Sequence, residues 1–142
     1  MPCPFFQPLQ PAPHARFSHA RLPLLEAYSG HCGSQQPDTI VEYQHCNQGY
    51  ARDTCEHVPA SDRNAANRYT VAGRTAEEIA VLFVREENCA PASSRLLHYS
   101  LAQDKIIDSN IEPNIYLQAE AFCRSYLRRE HAWSKASNSN EA

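Results

Sequence analysis

The sequence predicts an α+β protein: a small antiparallel sheet of three to four strands packed by a C-terminal helix, preceded by an irregular Cys/Pro-rich N-terminal region. Three observations carry this. Seven of the ten prolines fall in the first 37 positions, where no helical or strand period persists. Several β-prone apolar runs follow between residues 67 and 107, and the segment from Pro113 has helical spacing with no later Pro or Gly. The chain accordingly divides into a Cys/Pro-rich loop region with a metal site (1–65), a sheet with its helix (66–133) and a polar tail expected to be disordered (134–142).

Within the second segment, "NRYTV" is a short β-prone run. "EEIAVLFVRE" is an apolar run flanked by charges, as expected of a central strand covered on both sides. "SRLLHYSLAQDKII" supplies one or two further strands, with Gln103-Asp104 as the turn, and "ENCAPASS" predicts a hairpin with a longish loop. In the final element Pro113 suits a first helical turn. Ile115, Ala119, Phe122 and Tyr126 then recur at steps of four, three and four, which stacks them on one helical face.

Composition bounds the function. At 142 residues and 42% hydrophobic content the chain is long enough for one domain with a core. The net charge of -3 is spread evenly: three basic and five acidic residues lie in positions 1–60, ten and eleven after them. Neither half has the basic excess that binding to a phosphate backbone requires, so no nucleic-acid partner is indicated. No apolar run approaches the roughly 18 to 20 residues that span a bilayer, so no membrane is indicated either.

The first thirty residues lack the basic start and unbroken apolar stretch of a secretory signal, which makes a cytoplasmic location the expectation. In a reducing compartment six cysteines are more readily metal ligands or catalytic thiols than a disulfide framework. Four of them, Cys3, Cys32, Cys46 and Cys55, lie in the proline-rich region with 28, 13 and eight residues between successive members. Each has a bend-forming neighbour: Pro4 follows Cys3, glycines flank Cys32 in "SGHCG", and Gly49 lies between Cys46 and Cys55.

Four thiolates match the coordination needs of a tetrahedral zinc ion or of a cubane cluster. The Cys-x-x-Cys knuckle of a zinc ribbon is absent, and so is the common ferredoxin spacing, but an iron-sulfur cluster tolerates dispersed ligands better, so a 4Fe-4S cluster is favoured, with zinc as the alternative. His31, His45 and His57 stand one or two residues from these cysteines and are candidate alternative ligands, or groups hydrogen-bonded behind the sulfurs. Neighbours in an extended segment point in opposite directions, which argues against His31 and His45 sharing an ion with the adjacent cysteine. Cys123, beside Phe122 on the helix, is expected to be a small buried apolar residue, and Cys89 to lie in a loop.

The sequence has no phosphate-binding glycine loop, no Gly-x-Ser-x-Gly elbow and no His-Glu-x-x-His helix, which favours a role other than catalysis. Three functions follow. One is a small metal protein for electron transfer or redox sensing with a redox or regulatory protein partner. The second is a zinc-stabilised interaction module without catalysis, and the third a metal-free packing domain.

"CPFFQPL", "CNQGYARDTCEHVP" and "QAEAFCRSYLRRE" together resemble segments of a family of small bacterial proteins with no assigned activity, in which CN-x-GYA is followed by a further Cys and a proline. The resemblance spans most of the chain and implies that Cys3, Cys32, Cys46 and Cys55 form one set. "DTCEHVP" departs from the family's basic or glycine-rich approach to the last Cys and from its aromatic before the proline.

Overall fold

The computed structural model describes residues 3–12, 22–33, 40–41, 46–47 and 65–139. Two antiparallel sheets and one C-terminal helix make an α+β fold. The first sheet has the order β1 (Phe6–Pro11), β2 (Tyr28–Cys32), β3 (Ile40–Val41). The second has the order β4 (Ala66–Arg74), β5 (Glu78–Glu87), β6 (Ala90–Ser100), β7 (Lys105–Ile106). The helix, α1, runs from Pro113 to Ser139 and packs on β1 and on the second sheet.

The region expected to be irregular thus supplies a sheet of its own. Pro8 and Pro11 hid it, because a proline cannot donate to a ladder, yet both are tolerated on β1, which is an edge strand. The register pairs Phe6 with Cys32 and Pro8 with Gly30, then shifts so that Gln10 faces Ser29 and Leu9 is left over as a bulge. The tight approach at Pro8 depends on Gly30. A β-carbon there would lie 1.9 Å from the Gln7 carbonyl oxygen.

The second sheet follows the sequence closely, with three corrections. On β5, Ile79, Val81 and Phe83 are buried, but Leu82 on the other side is exposed, so the strand is covered on one face only. Its run looked two-sided because Leu82 pairs across with Leu96, an apolar contact on the open face. The link into β6 is a two-residue turn, not a longish loop. Asn88 and Cys89 adopt φ of 51° and 62°, the geometry that matches strand twist in a tight hairpin. β6 therefore starts at Ala90, and Pro91 is accommodated where the register shifts between Arg85 and Glu86. Finally, α1 takes in residues 134–139, which were expected to belong to a disordered tail.

Candidate functional site

Cys3, Cys32 and Cys46 are buried at 5%, 7% and 6% exposure in one continuous core with Phe6, Tyr28, Val41 and the inner face of α1. Backbone hydrogen bonds link the segments that carry them. The Cys3 amide donates to the Cys46 carbonyl at 3.1 Å, and the Phe6 amide donates back to the Cys3 carbonyl at 3.0 Å. Cys32 stands opposite Phe6 in the ladder, where the Gly33 amide donates to the Phe5 carbonyl at 2.7 Å. Strand alternation on β2 turns Cys32 inward and leaves the neighbouring His31 half-exposed, as expected of adjacent residues.

Cys55, His45, His57 and Gly49 lie outside the described residues. Among the described residues, no three His, Cys, Asp or Glu side chains are grouped so as to hold a metal ion. Cys123 is fully buried on α1, as predicted, and burial pushes its thiol up to about 12, which keeps it protonated and apolar in behaviour. Cys89 occupies the hairpin turn and is exposed.

Carboxamides hold the cysteine-bearing segments. Gln118 of α1 is fully buried. Its Nε2 donates to the Cys3 carbonyl at 2.8 Å and the Phe6 carbonyl at 2.7 Å, while its Oε1 accepts from Asn67 Nδ2 at 3.0 Å and Tyr69 Oη at 2.9 Å. Every hydrogen-bonding position of the amide is thereby used. One turn earlier, Asn114 Nδ2 donates to the Pro4 carbonyl at 3.2 Å and its Oδ1 accepts from Gln7 Nε2 at 2.7 Å. Asn47, next to Cys46, clasps the Tyr28 backbone: its Oδ1 accepts from the amide at 2.8 Å and its Nδ2 donates to the carbonyl at 3.1 Å.

The Tyr28 side chain then carries the connection into α1. Its hydroxyl donates to the Ala121 carbonyl at 2.9 Å, meets Ser125 Oγ at 2.5 Å and accepts from Arg128 Nη2 at 2.7 Å. Burial raises the Tyr28 pKa above the usual phenol range, against the opposing pull of Ser125 and Arg128, so the group stays a neutral donor. One signal for this network was present. Gln118 and Ser125 fall on the same helical stripe as Ile115 and Phe122, and a polar residue at a core position needs a buried partner.

The arrangement gives three inward cysteines on well-anchored backbone, with polar groups satisfied around them. Phe83, Tyr99 and Phe122 are core residues, and Tyr69 packs between Phe83 and Phe122 at ring-centroid distances of 5.6 and 6.0 Å. No helix among the described residues is long and apolar enough to cross a membrane. Compared with known proteins, the chain matches no family model, no curated protein and no solved structure.

Proposed function

We propose that this protein holds an iron-sulfur cluster of the 4Fe-4S type through Cys3, Cys32, Cys46 and Cys55, and serves electron transfer or redox sensing in the cytoplasm with a protein partner. The observation that carries the reading is the burial of three cysteines from separate parts of the sequence on directly bonded backbone segments, Cys3 to Cys46 and Cys32 beside Phe6. Four cysteine thiolates are the usual donors to such a cluster, which would supply one-electron chemistry. Cys55, outside the described residues, completes the set in this reading. His31 lies on the other side of β2 from Cys32, which leaves it out of the set.

The test is the metal content of anaerobically purified protein. The expected result is iron and acid-labile sulfide in equal amounts, about four of each per chain, with a brown colour. One zinc per chain without sulfide would replace the cluster with the structural alternative. Well-folded protein with neither metal would end both.

A further inference from the structure

A cleft of about 130 Å³ lies between α1 and the β1–β2 pair, at the end where Pro11 faces Tyr28 and opposite the end that carries Cys32. Its helical wall is the stripe Leu117, Ala121, Arg124 and Arg128, spaced four, three and four apart. Its opposite wall is formed by β1, where the bulge turns Leu9 into the cleft beside Pro11, and Tyr28 lines the space between the two walls. A bulge that re-aims one side chain is a recurrent device beside binding sites.

The two guanidiniums are the only charged groups among the described residues that line this space. Each is gripped from behind. Arg128 Nε donates to Glu26 at 2.8 Å, and its Nη2 donates to Tyr28 Oη and, at 3.3 Å, to Ser125 Oγ. Arg124 Nη2 donates to the Asp104 carbonyl at 2.9 Å, with the Asp104 and Glu120 carboxylates each 3.4 Å from a guanidinium nitrogen. Glu26, Asp104 and Glu120 hold the two side chains in place, and none of them lines the cleft. Among the described residues, neither Nη1 has a protein partner.

We propose that this cleft binds a small organic carboxylate. Two guanidinium ends with unmatched donors suit a planar carboxylate, which accepts paired N–H bonds. The walls of proline, leucine and alanine suit a short apolar body better than a bare inorganic anion. The volume admits a ligand of only a few carbon atoms beyond the head group. The proposal does not rest on a metal at the cysteines, and its test does not depend on one.

Butyrate and inorganic phosphate serve as probes, titrated at constant pH and ionic strength into full-length protein labelled for amide and arginine NMR spectra. Butyrate should give saturable shifts at Leu9, Ala121 and Arg128, and phosphate should not. The shifts should vanish in the Arg124→Gln, Arg128→Gln double variant. They should also vanish in Leu9→Glu, which places a carboxylate at the mouth of the cleft from a half-exposed position and remains informative should the double variant unfold. Absence of saturation in the wild type, unchanged saturation in Leu9→Glu, or phosphate binding as well as butyrate would each overturn the assignment.

Discussion

Gly30→Ala should destabilise the protein by about 3 kcal/mol or more, because the added carbon meets backbone that has no rotamer to escape into. It would lie 1.9 Å from the Gln7 carbonyl oxygen, 2.8 Å from the Gln7 carbonyl carbon and 3.0 Å from Pro8 Cα. The only relief is separation of β1 from β2. That separation removes the register that sets Phe6 against Cys32. Gly33→Ala is the matched control, since its nearest neighbour would be the Phe5 carbonyl oxygen at 3.2 Å, and a shift of a few tenths of an ångström suffices. Urea unfolding of the two variants beside the wild type reads the difference directly. A Gly30→Ala protein as stable as the wild type would refute the tight strand contact.

Gln118→Leu should have an effect of similar size, about 3 to 5 kcal/mol by the same measurement. Leucine fills a similar volume, so the loss is one of hydrogen bonds rather than of packing. The Cys3 and Phe6 carbonyls, Asn67 Nδ2 and Tyr69 Oη all lose the Gln118 bond in a buried setting. Tyr69→Phe removes only one of these contacts and should cost about 1 kcal/mol. The contrast has a functional side. Gln118 grips the segment that carries Cys3, whereas Tyr69 touches only the opposite end of the amide, so metal content should fall in the first variant and persist in the second.

Much of the second sheet and the helix was legible because their signals are local. The apolar, β-branched run of β5 declares a strand, and the four-three-four spacing on α1 a helical face, each within a few residues. The first sheet was not legible. Pro8 and Pro11 argue against a strand until an edge position is known, and what fixes its register is the absence of a side chain at Gly30. In the tail, the polar residues 134–139 carry no apolar stripe that would have predicted their helix.

The candidate site divides along the same line. Pro4 beside Cys3 and the glycines around Cys32 marked those positions as special, and both cysteines are buried. Gly30 in addition admits the β1 backbone at close range. The partners of the carboxamides were not legible because they are remote: Gln118 reaches Cys3 across 115 positions and Asn114 reaches Pro4 across 110. Long-range hydrogen bonds leave no period in a sequence.

The claim that Cys3, Cys32, Cys46 and Cys55 act as one centre is tested most directly by changing each singly to serine and measuring iron and sulfide per chain after anaerobic purification. Cys89→Ser, in the exposed hairpin turn, serves as the control. The account predicts that all four variants lose most of their iron and sulfide together while Cys89→Ser keeps the wild-type content. Full metal in any of the four, or its loss in Cys89→Ser, would contradict the assigned set.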